Sequence, residues 1–114
     1  MKTIIAGSRG INDYRLVCQA IMESKFNITT VLSGTANGVD KLGELWADRH
    51  STPIERYTPD WAKNGRSAGI KRNIEMAQDA DALVAIWDGK SKGTQHMIRI
   101  AKQMGLKVYV KEQY

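Results

Sequence analysis

The sequence has one cysteine, Cys18, among 114 residues, which excludes an intramolecular disulfide and a multi-cysteine metal site. Its two histidines, His50 and His96, lack metal-ligand spacing with each other or with Cys18, so no metal site is expected. No run approaches the roughly 18 apolar residues of a membrane span, and the N-terminal stretch Met1 to Ala6 meets Gly7 at once. Neither a transmembrane helix nor a signal peptide is expected, and a cytoplasmic protein is. Repeats, low-complexity tracts and interdomain linkers are missing, which points to one domain over 1–114. Neither Gly-x-x-x-x-Gly-Lys-Ser/Thr nor the full Gly-x-Gly-x-x-Gly occurs, which argues against ordinary kinases and dehydrogenases.

What the chain does contain suits a globular fold. It is 42% hydrophobic and 25% charged, and a chain of this length buries about two thirds of its unfolded surface, enough for a core without staples. Seventeen Lys and Arg against twelve Asp and Glu leave a formal charge of +5. That excess is small for a protein that coats nucleic acid and compatible with one anionic ligand. It is also uneven: residues 1–57 carry seven cations and six acids, residues 58–114 ten and six. Residues 61–72 hold Lys63, Arg66, Lys71 and Arg72 with no acid, and residues 89–107 hold Lys90, Lys92, Arg99, Lys102 and Lys107, again with none.

Two periods alternate along the chain. Short apolar runs at Thr3–Ala6, Thr30–Leu32, Ile54–Tyr57, Leu83–Trp87 and Val108–Val110 have strand length, and turn residues follow most of them. Helically spaced segments lie between them, over about 13–26, 38–50, 68–80 and 94–104. Their expected inward stripes are Leu16, Val17, Ala20 and Ile21; Val39, Leu42, Leu45 and Trp46; Ile70, Ile74 and Ala77; and Met97, Ile100, Ala101 and Met104. Asp13 is placed to cap the first helix and Gly105 to stop the fourth. The order β-α-β-α-β-α-β-α-β predicts a mostly parallel sheet with helices on both faces. This is a Rossmann-like three-layer α/β sandwich of about five strands and four flanking helices. Residues 58–67, Thr-Pro-Asp-Trp-Ala-Lys-Asn-Gly-Arg-Ser, read as a long polar connection of the kind that often carries function.

In an open α/β sheet, ligands bind beyond the carboxyl ends of the strands. Three strand exits have unusual loops: Gly7-Ser8-Arg9-Gly10 after the first strand, Ser33 to Asp40 after the second, and Asp88 to Thr94 after the fourth. Glycines such as Gly7, Gly34, Gly38 and Gly93 let backbone approach a ligand, and N–H groups at helix starts bind anions. Ser8, Thr35, Ser91 and Thr94 offer hydroxyls, while Arg9, Lys90 and Lys92 offer charge. One glycine-rich turn is common in any α/β protein. Three on one sheet edge point to phosphate or ribose.

These residues resemble a family. The chain is similar almost end to end to the SLOG superfamily, most closely its small YspA-like branch. The likeness rests on Ile5-Ala6-Gly7-Ser8-Arg9, Leu32-Ser33-Gly34, Gly38-Val39-Asp40, Asp60-Trp61, Ala68-Gly69-Ile70-Lys71-Arg72-Asn73, Ala80-Asp81-Ala82 and Trp87-Asp88-Gly89-Lys90-Ser91-Lys92-Gly93-Thr94. The resemblance implies a Rossmann-like fold that binds nucleotides or nucleotide-derived molecules, including NAD-derived signals. Some members are enzymes, others are sensor modules, and the related DNA-processing protein binds single strands. The chain also resembles the Lonely guy phosphoribohydrolases. Their helix motif of Arg-Lys, four residues before a Met, is similar to Arg72 and Met76 here, with Asn73 replacing the Lys. Their Pro-Gly-Gly-x-Gly-Thr-x-x-Glu loop is similar to the region ending in Gly93-Thr94, but Met97 stands where the Glu would, preceded by His96. A Met cannot stabilise an oxocarbenium-like charge or manage protons, so ligand binding is expected to carry over and the hydrolase activity is not.

Each candidate residue has a plainer reading beside the functional one. Arg72 falls nearly opposite the Ile70–Ile74–Ala77 stripe, as a solvated arginine would, and the family likeness implies a phosphate clamp. Met76 shares that outer face, where an apolar residue suggests a homo-oligomer contact that completes the site. Asp40 is either a carboxylate for ribose or proton transfer or a first-turn acid favourable to the helix dipole. Asp88 ends the fourth strand and either orients ligand or shapes the turn. Trp61, in the polar connection with Asn64, is a candidate to stack on a base; Trp87 is another or is core, and Trp46 is core. His96 either touches phosphate or lies on the surface, and Cys18 has no partner that would make it a nucleophile.

The sequence thus predicts a protein that senses or sequesters a nucleotide or nucleotide-derived ligand, of the NAD, ADP-ribose or cyclic-nucleotide kind, with no required cofactor. Its expected ligand-binding residues are Gly7, Ser8, Arg9, Gly34, Thr35, Gly38, Asp40, Trp61, Asn64, Arg72, Asn73, Asp88, Ser91, Lys92, Gly93 and Thr94. The enzyme alternative is a nucleotide N-glycosidase or phosphoribohydrolase in which Asp40 or Asp88 supplies the missing carboxylate. A further alternative uses the basic stretches 61–72 and 89–107 as a groove for single-stranded nucleic acid, against which the modest net charge argues.

Overall fold

The computed structural model describes all 114 residues. Strands β1 (Lys2–Gly7), β2 (Thr30–Ser33), β3 (Ile54–Arg56), β4 (Ala82–Trp87) and β5 (Lys107–Glu112) form one parallel sheet in the order β3-β2-β1-β4-β5. The central strands β1 and β4 are nearly continuous apolar runs, as strands covered on both faces must be. Their pleat sends Ile5, Val84 and Ile86 to one face and Ile4, Ala6, Leu83 and Ala85 to the other. Helices α1 (Tyr14–Ser24) and α2 (Val39–Arg49) cover the first face. A one-turn α3 (Trp61–Asn64) leads into α4 (Ala68–Asp79), which covers the second face with α5 (Lys92–Gln103). Each buried Val, Leu or Ile contributes about 1.5–3 kcal/mol, so the two interlayer cores hold the predicted three-layer sandwich together.

Helix α1 follows its sequence closely. Asp13 caps it by accepting the Arg15 N–H at 3.0 Å, and Leu16, Val17, Ala20 and Ile21 face the sheet. Two other helices are turned relative to the faces their apolar residues predict. In α2, Val39 is buried, but the rest of the inward line is Asp40, Gly43, Glu44 and Ala47, with Leu42, Leu45 and Trp46 half-buried on the flanks. Gly43 explains the turn: a β-carbon there would stand 2.7 Å from Ile5 Cγ2, so glycine lets the helix lie directly on β1.

In α4 the buried residues are Ala68, Asn73, Met76 and Ala77, while Ile70, expected inside, is 49% exposed. Met76, expected on an outer face at a subunit contact, is 1% exposed and belongs to the core cluster of Leu32, Leu83 and Met97. The helix turns its Arg72–Asn73 edge toward the carboxyl end of the sheet, where both side chains find hydrogen-bond partners, and Ile70 rotates outward as a result.

The connection 58–67 is shorter in irregular chain than its polar sequence suggests. Asp60 caps α3, its Oδ1 accepting the Lys63 N–H at 3.0 Å, and a 3₁₀ turn, Gly65–Ser67, joins α3 to α4. No helix is long and apolar enough to cross a membrane. From β3 the chain passes to β4, on the far side of β1, so the strand order reverses between β1 and β4. The crevice beyond the strand ends at such a switch point is the usual ligand position in open α/β sheets.

Candidate functional site

Two adjoining clefts open beside this switch point. The inner one, about 70 Å³, lies between Gly7 at the end of β1, Asp40 at the start of α2, Arg72, Asn73 and Met76 of α4, and Ser91, Gly93 and Thr94 at the start of α5. The outer one, about 300 Å³, is walled by Gly34, Thr35, Asn37, Thr58, Pro59 and Trp61. Arg9, Ala36 and Arg72 line both, so the two are continuous.

The loop after β1 braces its neighbours. Ser8 is 1% exposed, and its Oγ accepts the Asp88 N–H at 3.0 Å, tying the first loop to the third. Gly38 has φ +76°, and a β-carbon on it would stand 2.5 Å from both the Ser8 and the Arg9 carbonyl oxygens. A side chain on Gly7 would collide with the Ile86 carbonyl oxygen. Gly7 and Gly38 therefore let three chain segments converge, and Arg9, exposed at the rim, is the side chain this loop offers to the clefts.

The loop after β2 is held in a less common shape. Thr35 has φ +65°, a left-handed conformation that costs a branched residue about 1 kcal/mol or more. Its N–H donates to Ser33 Oγ at 3.1 Å, and that hydroxyl donates to Glu44 Oε2 at 2.6 Å. Glu44 is itself buried and takes the Arg56 Nε at 3.0 Å. One residue further on, the Ala36 N–H donates to Asp40 Oδ2 at 3.2 Å. Asp40 is 5% exposed, and burial pushes its carboxyl up to about 6 against the opposing pull of the Ala36 N–H and the Arg72 cation.

Arg72 and Asn73 join the second loop to the third. The Arg72 guanidinium donates through Nη1 to the Gly34 carbonyl and through Nε to Asn73 Oδ1 at 3.0 Å. Asn73 Nδ2 then donates to the Gly93 carbonyl at 3.3 Å and lies 3.1 Å from His96 Nδ1. Burial and the Arg99 cation lower the His96 pKa, favouring the neutral ring that accepts this bond. Burial also works against the Arg72 charge; nearby Asp40 supports it and Arg9 opposes it.

The third loop starts α5. Ser91 caps the helix, its Oγ accepting the Thr94 N–H at 3.3 Å and lying 3.0 Å from Thr94 Oγ1. Asp88 turns back on its own loop, Oδ1 accepting the Lys90 and Ser91 N–H groups at 2.8 Å each, and those bonds lower its pKa. Trp87 is half-buried, with its Nε1 donating to the Ser91 carbonyl at 3.0 Å.

The expected ligand residues therefore separate into two groups. Gly7, Arg9, Asp40, Arg72, Asn73, Ser91, Gly93 and Thr94 line the inner cleft; Gly34, Thr35 and the 53%-exposed Trp61 line the outer one. Ser8, Gly38, Asn64, Asp88 and Lys92 line neither. Asn64 instead accepts Lys71 Nζ at 2.9 Å. The sequence reading missed the Ser33–Glu44 support and the Thr58–Pro59 wall. Glu44 was findable, because it sits one helical turn after Asp40 on the same face.

Residues 1–64 match the model of a family described as YspA, cpYpsA-related SLOG family. The Gene 61 protein of Mycobacterium phage D29 is 32% identical over 117 residues, covering 94% of this chain and 93% of that protein. No solved structure matches the chain.

Proposed function

This chain belongs to the YspA, cpYpsA-related SLOG family, and on that premise we propose that it binds a nucleotide or nucleotide-derived ligand and holds it without turning it over. The observation that carries the proposal is the setting of Arg72: a desolvated cation with a second cation, Arg9, on the same cleft wall. An anion entering the inner cleft relieves that arrangement, and the start of α5 presents a helix N-terminus to it. In this reading the phosphate rests between Arg72, Gly93 and Thr94. The sugar and base extend past Arg72 and Ala36 into the larger outer cleft, where Trp61 offers a stacking face.

Holding is favoured over turnover because the cleft is poor in proton-transfer groups. Met97, 1% exposed, lines the inner cleft where the similar hydrolases carry a Glu, and Asp88 is committed to its own loop. Asp40 is the one carboxylate on the cleft walls. Native mass spectrometry of the freshly purified chain, followed by incubation with a panel of mononucleotides and dinucleotides, tests the reading. The expected result is a bound nucleotide recovered intact. Failure of every nucleotide to bind overturns the reading, and release of base or phosphate replaces holding with turnover.

A further inference from the structure

We infer that Asp40 is a specificity-determining residue of this cleft: its carboxylate accepts a hydrogen bond from a sugar hydroxyl, so the site selects ligands whose sugar keeps its free hydroxyls. The inference rests on the reading of the site given above and names the part of the ligand that the phosphate contacts cannot read.

A carboxylate is out of place in a cleft that attracts anions unless it makes a bond of its own. Asp40 is 5% exposed and shares the inner cleft with Arg9 and Arg72. It is nevertheless not ion-paired, since the salt bridges join Lys2 to Glu55, Lys41 and Arg56 to Glu44, and Lys111 to Glu23. The Arg72 guanidinium is directed to the Gly34 carbonyl and to Asn73 instead. Asp40 accepts the Ala36 N–H at Oδ2, and the Gly7 N–H also favours its charged form. An ionised carboxylate has about four acceptor sites and no donor, so these two N–H groups leave it with acceptor capacity on the cleft wall.

The chemistry of the missing donor follows. A phosphate that is fully ionised donates nothing, and a carboxylate repels it. A hydroxyl donates and carries no charge. Asp40 also sits next to the wall that the two clefts share, because its hydrogen-bond partner, Ala36, lines both. A ligand with its phosphate at Gly93 and its base at Trp61 brings its sugar past that wall. At a pH above about 6 the side chain is ionised and forms a charge-assisted bond to the hydroxyl. A ligand lacking that hydroxyl leaves the buried carboxylate unmatched and is rejected.

The test is calorimetric titration of the intact protein at about pH 8 with the 5′-monophosphates of adenosine, guanosine, cytidine and uridine, their 2′-deoxy and 2′,3′-dideoxy forms, and inorganic phosphate. The tightest ribonucleotide is expected to exceed its dideoxy form by about tenfold or more, since an unmet charged acceptor of this kind costs at least that. Asp40→Asn is expected to narrow the ratio to about threefold or less while the dideoxy form binds no worse, because the repelling charge is gone. Equal binding of ribo and dideoxy forms by the native protein overturns the inference and leaves nucleotide binding standing; so does an unchanged ratio in the variant. The native comparison holds even if the variant folds poorly. Binding of no nucleotide overturns both readings together.

Discussion

Asp40 and Arg72 stand on either side of the side chain that Gly34 lacks: a β-carbon on Gly34 would lie 2.8 Å from Asp40 Oδ2 and 2.7 Å from Arg72 Nη1. The two charges do not close into a salt bridge. Main chain of one short loop separates them, with the Ala36 N–H bound to the acid and the Gly34 carbonyl bound to the base. A direct ion pair would saturate both groups. Held apart, they leave a cation and an acceptor facing the same cleft, which is the complement of a phosphate and a hydroxyl on one small molecule.

Gly34→Ala tests that spacing. The methyl group would stand within 3.0 Å of both polar ends, and the Arg72 guanidinium is flexible enough to yield. The fold should therefore lose only about 1 kcal/mol, a modest overpacking cost. Nucleotide affinity should fall by about tenfold or more, because Arg72 no longer holds its position. Thermal unfolding and titration on the same sample separate the two effects, and normal binding by the variant would show that the spacing is incidental.

Asp40→Asn should change how stability depends on pH. The folded carboxyl is raised to about 6 from its ordinary value of 3.8, so between those values the folded state binds more protons than the unfolded one. Stability from this group is full below the unfolded pKa and is lost as pH rises through the folded pKa, by about 3 kcal/mol in all. The Asn variant lacks that loss. Denaturant unfolding without ligand should find it more stable than the native protein at neutral pH, with the difference shrinking below about pH 4. A difference that stays flat across that window would mean that Asp40 titrates normally.

The fold was legible because its evidence is apolar and local: strand-length runs, helical spacing, and a cap such as Asp13. The three loops were legible for a related reason, since glycine and hydroxyl residues cluster where strands end. Helix facing was not legible where chemistry competes with apolarity. Apolar periodicity puts Asp40 and Glu44 outside on α2, yet Gly43 between them brings that face onto β1 and buries both acids. In α4 the branched residues Ile70 and Ile74 outweighed Asn73, whose three partners lie in other segments or in its neighbour Arg72. A buried polar residue is identified by what surrounds it, and spacing along the chain does not carry that information.

Asn73→Ala should loosen the joint between the second and third loops. Asn73 is 5% exposed and bonds Arg72 Nε, the Gly93 carbonyl and His96. Truncation leaves those groups without a partner and should cost about 1–3 kcal/mol. Since it also frees Arg72 and the start of α5, nucleotide affinity should drop with stability. Hydrogen exchange should quicken at Gly93 and Thr94 and stay unchanged in β1; uniform protection across the variant would show that Asn73 is a core residue with no role in the joint.

Met97→Glu restores the residue type that the similar hydrolases carry at this position, and it should not restore their chemistry. Met97 is 1% exposed and packs in the cluster that includes Met76, Leu83 and Ala101. A carboxyl group introduced there, at the floor of the inner cleft, loses its water, and burial raises its pKa against the pull of the Arg9 and Arg72 cations on the same walls, so it should be largely protonated at neutral pH. A neutral acid cannot stabilise the positive charge that develops as a glycosidic bond breaks. The variant should lose about 3 kcal/mol, seen as a melting temperature lower by about 10–20 °C. High-resolution chromatography of nucleotide mixtures should find no released base. Base release by this variant would show that the cleft already aligns a nucleotide for cleavage and that one carboxylate separates binding from catalysis.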